Sequence, residues 1–121
     1  FCAGANLLML LEAATSQQWK AIDAMVRSFQ GMTMGFKRCA VPVITAPFGF
    51  TFGGGAEITM AGDRVCALAE TYIGLVEVGV GLIPAGGGTK EMTARASEGL
   101  SAPGAELLPR IQKAFETIAF A

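Results

Sequence analysis

Two glutamates stand alone in uncharged, glycine-rich stretches of this chain. Glu57 is the only charged side chain of residues 39–62, and Glu77 is the only one of residues 71–89. A carboxylate in apolar surroundings loses hydration, which raises its pKa toward neutrality. Such groups are seldom kept unless they are paired or used in chemistry. The pattern therefore predicts a pair of carboxylates that exchange a proton with a substrate.

Two runs of small residues could supply backbone donors beside these carboxylates. Gly53–Gly55 precedes Glu57 and favours a turn that opens a helix, where unpaired N–H groups and the helix dipole attract an anionic oxygen. The first segment, Phe1–Leu7, is a second turn of small residues that leads into a helix. One N–H from each turn would form an oxyanion hole, in which a single donor contributes about 3–4 kcal/mol.

Each of these features also has a plainer interpretation, which the residues alone leave open. Gly53–Gly55 could be a tight turn or a close helix contact, and Glu57 could be a first-turn glutamate placed by the helix dipole. Glu77 could be an exposed loop charge. Gly86–Gly88 with Lys90 suggests a phosphate cradle, although it lacks the spacing of a P-loop.

Composition excludes several classes of function. The 121 residues form one domain or part of one, and 52% hydrophobic residues suffice for a core. A net charge of −1 without a basic run argues against a nucleic-acid partner. The absence of histidine excludes histidine-based nucleophile systems and histidine-ligated metal sites, so no metal is predicted.

The three cysteines, Cys2, Cys39 and Cys66, are odd in number and widely spaced. This pattern predicts buried thiols in a reducing compartment, which favours the cytoplasm. The uncharged run 39–56 contains prolines and glycines, so we expect no membrane-spanning helix there. The chain begins abruptly on an apolar residue, which suggests a piece of a longer protein.

Hydrophobic periodicity predicts an α/β chain in which strands alternate with helices. A linker is expected over residues 96–104, before the last helix. The predicted helices are Leu7–Glu12, Ser16–Lys37 with Ser16 as N-cap, Gly53–Gly55 to Ala61, Gly86–Gly88 to Arg95, and Glu106–Ala119. The predicted strands are Val41–Ala46, taken as buried, Arg64–Ala69 and Thr71–Ile73.

Three motifs together are more specific than their parts. Phe1–Leu7 reads FCAGANL, Gly49–Glu57 reads GFTFGGGAE, and Val76–Thr89 reads VEVGVGLIPAGGGT. In this order they resemble the crotonase (enoyl-CoA hydratase) superfamily. The resemblance implies the crotonase (ClpP-like) fold of repeated strand–turn–helix units, with residues 1–121 an internal, incomplete fragment of a single domain.

The resemblance also implies a reaction. The N–H groups of Ala5 and Gly54 would polarise an acyl-CoA thioester carbonyl, while Glu57 and Glu77 would activate a water for addition across the C2–C3 double bond. The presence of both glutamates favours a hydratase over an isomerase, and which one is acid and which is base stays open. By the same resemblance, the further substrate-binding residues would be Ala3, Asn6, Leu7, Leu8 and Gly53.

Three positions depart from the family pattern. Asn6 replaces the usual aspartate, Val76 replaces a proline, and Leu8 stands where many relatives have a lysine near the CoA phosphates. Part of the usual CoA recognition is therefore missing here or supplied from elsewhere.

The amino-acid sequence that extends these motifs is similar to the hydratase part of bacterial multifunctional fatty-acid oxidation proteins. Such a parent would also carry a 3-hydroxyacyl-CoA dehydrogenase region that uses NAD, would act in the cytoplasm and would form a homo-oligomer. No cofactor is expected in these residues, and the partner is an acyl-CoA thioester. The alternatives are another crotonase chemistry (isomerase or hydrolase), a non-catalytic packing or oligomerisation piece, and a nucleotide-phosphate binder.

Overall fold

The computed structural model describes residues 1–100 and 104–121 as short parallel strands between helices. The helices are α1 (Leu7–Thr15), α2 (Trp19–Lys37), α3 (Gly54–Ala61), α4 (Gly88–Ser97) and α5 (Leu107–Ala119), with a 3-10 helix over Glu77–Val80. The strands are β1 (Ile44–Thr45), β2 (Phe50–Phe52), β3 (Arg64–Val65) and β4 (Tyr72–Gly74). None of the helices in this part of the chain is long and apolar enough to cross a membrane.

The strands form two parallel ladders. Strand β1 pairs with β3, and β2 pairs with β4 so that Phe52 lies opposite Gly74. Cys2 adds a parallel bridge on the other side of β2, next to Thr51. Three extended segments, the one containing Cys2, β2 and β4, therefore end at the same edge.

Helix α3 carries more buried residues than any other helix or strand of the described chain. Ala56, Thr59 and Ala61 are buried on it, and it packs against α2, α4 and β2. Its second residue, Gly55, lies so close to the Cys2 segment that an added Cβ would overlap the Cys2 carbonyl oxygen. A side chain at this position would separate α3 from the first segment.

Helices α2 and α4 are joined by an ion pair between a buried carboxylate and an exposed lysine. The Glu91 carboxylate, on α4, lies 2.8 Å from Lys37 Nζ at the end of α2 and 2.8 Å from the neighbouring Lys90 Nζ. Burial alone would raise the pKa of Glu91, but hydrogen bonds and charge from the two lysines outweigh it and hold that pKa below its ordinary value of 4.5.

The Glu91 ion pairs predict an acid-sensitive fold. A carboxyl with a lower pKa in the folded than in the unfolded chain contributes stability that is complete above the unfolded pKa and lost as pH falls through the folded pKa. We expect the free energy of unfolding, measured in urea, to decrease as the pH is lowered through about 4.5. In Glu91→Gln this dependence of the free energy of unfolding on pH should be weaker. The exposed Glu116→Gln is the control, and an unchanged dependence on pH in Glu91→Gln would contradict the assignment.

Several predicted element bounds were wrong. Ser16 is the C-cap of α1 and not the N-cap of α2, because Gln17 has a positive φ of 56° and α2 begins only at Trp19. The 96–104 linker begins later than predicted because α4 continues to Ser97. Residues 101–103 of that linker lie outside the described part of the chain. Helix α5 confirms the predicted last helix to within one residue.

The buried strand predicted over Val41–Ala46 is the largest error. Only Ile44 and Thr45 form a ladder, and Ile44 is 64% exposed because one face of this ladder is uncovered. Pro42 and Pro47 lack the N–H that a longer ladder would need. Strand β3 is likewise shorter than the predicted Arg64–Ala69.

The prediction of buried cysteines was also wrong. Cys39 and Cys66 are exposed and Cys2 is half-buried, all three as free thiols. Cys39 follows the end of α2, and Cys66 follows β3 on the uncovered ladder, so neither reaches a closed interior.

Candidate active site

The candidate residues all follow the carboxyl ends of the three parallel segments. Ala5 comes shortly after the Cys2 bridge, Gly54 follows β2, and Glu77 follows β4. Ligands bind outside the carboxyl ends of strands in open α/β sheets. The fold thus places residues from three separate motifs around one cavity of about 330 Å³.

Glu57 is buried on the first turn of α3, with only 4% of its surface exposed. Its Oε1 accepts a hydrogen bond from the Gly88 N–H at 2.8 Å, at the beginning of α4. The carboxylate therefore lies near the N-termini of two helices, whose dipoles favour a negative charge. The hydrogen bond from Gly88 fixes the direction in which Oε1 points.

Glu77 lies half-buried at the start of the 3-10 helix, and its Oε2 is buried without a hydrogen bond from the described residues. Loss of hydration raises the pKa of Glu77, its own backbone hydrogen bond lowers it in part, and the charge of Glu57 raises it further. The raised pKa predicted from the sequence is confirmed for this residue. An added Cβ at Gly53 would lie 2.8 Å from Glu77 Oε1, so that glycine leaves room for the carboxylate.

The N–H groups of Ala5 and Gly54 have no backbone acceptor among the described residues. Gly54 begins α3, where the first N–H groups have no partner within the helix. The preceding Gly4 has a φ of 94°, and a Cβ added to it would lie 3.6 Å from the Gly54 nitrogen. The two turns are thus in contact, and both line the cavity.

The rest of the cavity wall is apolar. Helix α2 contributes Val26 and Phe29, while the segment after the 3-10 helix contributes Leu82 and Ile83. These side chains surround the two carboxylates with hydrocarbon. An apolar cavity wall of this kind suits the acyl chain of a ligand and holds little water. The sequence analysis did not identify Leu82 and Ile83 as cavity residues, because the site motifs do not mark them.

Two of the predicted binding residues do not line the cavity. Leu8 is exposed on α1, and Asn6 is the N-cap of that helix, with Oδ1 accepting from the N–H groups of Leu8 and Met9 at 3.1 and 3.3 Å. Ala3, Leu7 and the other predicted site residues do line it. The binding roles of Asn6 and Leu8 remain predictions.

The cap predicts how Asn6 variants behave. We expect Asn6→Ala to lower the free energy of unfolding by about 1 kcal/mol, because two N–H groups of α1 lose their acceptor. Asn6→Asp keeps an acceptor at this position and should retain that stability. Urea unfolding of both variants measures the effect, and equal losses in the two would contradict the capping role.

Comparison with known proteins shows the family to which the chain belongs. Residues 1–101 match the enoyl-CoA hydratase/isomerase family. The chain belongs to this family. It is 44% identical over its whole length to the "Probable 3-hydroxyacyl-CoA dehydrogenase" of Bacillus subtilis (strain 168), of which it covers 15%. It is 40% identical over 96 residues to the fatty acid oxidation complex subunit alpha of Shewanella loihica, covering 76% of this chain and 13% of that protein.

A solved structure shows the same fold. The crystal structure of an enoyl-CoA hydratase from Polaromonas sp. JS666 superposes with a TM-score of 0.76 at 27% identity, over 99% of this chain and 41% of that chain. The predicted crotonase fold is therefore confirmed for the part of the domain that this chain spans. Membership of this enzyme family also confirms the prediction of an enzyme.

Proposed function

We propose that this chain carries the hydration site of an enoyl-CoA hydratase, which adds water across the C2–C3 double bond of a 2-enoyl-CoA. One observation carries the proposal: two carboxylates and two backbone N–H groups from three motifs line a single apolar cavity. The cavity wall suits the acyl chain, and the N–H groups of Ala5 and Gly54 are available for the thioester oxygen.

The proposed reaction follows from these groups. The oxygen of water bonds to C3 while one of its protons passes to a carboxylate, and the electrons of the double bond move toward the thioester oxygen. The N–H groups of Ala5 and Gly54 stabilise the negative charge that develops on that oxygen. As the electrons move back from the thioester oxygen, C2 takes up a proton from a carboxyl group. This step completes the addition of one water molecule.

The surroundings of the two carboxylates suggest which one acts as the base and which one acts as the acid. Glu57 is held in one orientation by Gly88, which suits a base that must present a lone pair to a water. The raised pKa of Glu77 lets it hold a proton at higher pH than an ordinary glutamate, which suits the donor to C2. We therefore assign Glu57 as the base and Glu77 as the acid.

Water labelled with oxygen-18 tests the proposal directly. With a short 2-enoyl-CoA, a hydratase places the label on C3 of the product, whereas an isomerase incorporates none and a thioester hydrolase places it in the released acid. We expect the label at C3, measured by mass spectrometry of the CoA product. Label in the free acid, or an unlabelled product with a shifted double bond, would assign the site to another crotonase chemistry.

The wider setting is part of the same proposal. The name of the Shewanella loihica relative suggests that the hydration step belongs to fatty acid oxidation within a larger complex. We propose that this step takes place in the cytoplasm and that the intact protein is a homo-oligomer. Hydration consumes only water and the thioester, so the proposed reaction needs no cofactor. NAD would serve a dehydrogenase region elsewhere in such a protein.

A further inference from the structure

Helix α2 contacts the loop that leads into α4 through two hydrogen bonds. Gln30 Nε2 and Thr33 Oγ1 donate to the carbonyl oxygens of Ala85 and Gly86, at 2.6 and 2.7 Å. Residues three apart lie on the same face of a helix. This face of α2 therefore holds the backbone of two successive loop residues.

The same face continues to a third contact one turn further on. Lys37 Nζ pairs with Glu91 Oε2 at 2.8 Å, and the Glu91 N–H donates to the Gly87 carbonyl at 2.9 Å. The ring of Phe29, also on α2, lies where a Cβ on Gly86 would be. Helix α2 thus holds this loop at its start, middle and end.

The loop in turn contacts the Glu57 carboxylate. The Gly88 N–H donates to Oε1, and a Cβ added to Gly86 would overlap Oε2, so the bare backbone of Gly86 packs directly against that oxygen. The orientation of the carboxylate thus depends on where the loop lies, and the position of the loop depends on α2.

We infer that Thr33 is a positioning residue for Glu57, an inference that rests on the proposed hydration. Thr33 is 6% exposed, and its hydroxyl bond to Gly86 is buried. Removing that hydroxyl leaves the Gly86 carbonyl without its donor, which favours movement of the loop toward another donor. The Gly88 N–H would move with it, away from Glu57.

Kinetics of Thr33→Val test the inference, because valine keeps the shape of the side chain and removes the hydroxyl. We expect kcat for hydration to fall roughly tenfold with KM unchanged, since misplacement of a catalytic group lowers turnover more than binding. Thr33→Ser keeps a hydroxyl and should restore kcat. Thr117→Val on α5, where the exposed hydroxyl bonds only to its own helix, is the matched control.

The amide proton of Gly88 gives a second measurement that needs no turnover. In Glu57→Ala the Gly88 amide proton has no carboxylate acceptor, so its chemical shift in that variant is the reference for a broken hydrogen bond. We expect Thr33→Val to move the chemical shift of the Gly88 amide proton toward this reference value. An unmoved resonance, or a moved resonance with unchanged kcat, would overturn the inference. If the unmodified chain does not hydrate an enoyl thioester, the proposed function is wrong. The Gly88 resonance then tests by itself whether Thr33 positions Glu57. Should Thr33→Val not fold, Gln30→Met removes the neighbouring donor from an exposed position and is expected to move the resonance in the same direction.

Discussion

Glu57→Gln and Glu77→Gln should each lower the turnover of a short 2-enoyl-CoA by about 10²–10⁴-fold, the range of general acid–base catalysis. Glutamine keeps the size of each side chain and can still orient a water, but it cannot accept or deliver the proton. Because both side chains line the cavity, each loss should appear in kcat. The decrease in enoyl absorbance during hydration measures it.

The two carboxylates should also behave as one unit. If both take part in the same transition state, the double variant should lose little more than the worse single variant, because residues that act together are not additive. The exposed Glu12→Gln is the control and should leave turnover unchanged. Turnover that survives either substitution at Glu57 or Glu77 would contradict the paired mechanism.

Gly55→Ala should destabilise the chain by about 3 kcal/mol or more, because its Cβ would overlap the Cys2 carbonyl oxygen. That oxygen also accepts the Phe52 N–H at 2.9 Å, so it cannot move without loss of a ladder bond. Displacement of the first segment would carry the Ala5 N–H away from Gly54. We therefore expect both the free energy of unfolding and the hydration rate to fall.

Gly35→Ala is the matched control for this effect. Gly35 also lies within a helix, α2, but an added Cβ there has nothing within 4 Å. Alanine should stabilise α2 by about 0.5–1 kcal/mol, since glycine costs conformational entropy in a helix. Urea unfolding of both variants compares them, and a Gly55→Ala chain as stable as Gly35→Ala would show that α3 and the first segment do not pack as described.

The positions of Glu57 and Glu77 could be predicted from the sequence, because an isolated charge in an apolar stretch is a local signal. Helix α3 was also predictable from a local signal, because the glycine run Gly53–Gly55 marks its start. The crotonase fold was predictable because three motifs occur in the right order. Each motif is a short run of neighbouring residues, and only the order of the motifs extends along the chain.

The partners of these residues could not be predicted. Gly88 and Glu57 are 31 positions apart, and Thr33 and Gly86 are 53 apart, so no local pattern signals either hydrogen bond. Strand β2 was missed because its three residues lie within the glycine motif, although aromatic and β-branched side chains favour strands. The Val41–Ala46 strand was overestimated because hydrophobicity alone does not tell which face is covered.

The most direct test of the shared site is the carbon-13 resonance of a labelled thioester carbonyl. A saturated acyl-CoA cannot be hydrated, so it should bind in the cavity with its carbonyl oxygen at the N–H groups of Ala5 and Gly54. We expect the carbonyl resonance to move downfield on binding, together with both amide protons, because two donors polarise one oxygen. A bound thioester whose carbonyl resonance stays at its free value, or a thioester that does not bind, would contradict the account.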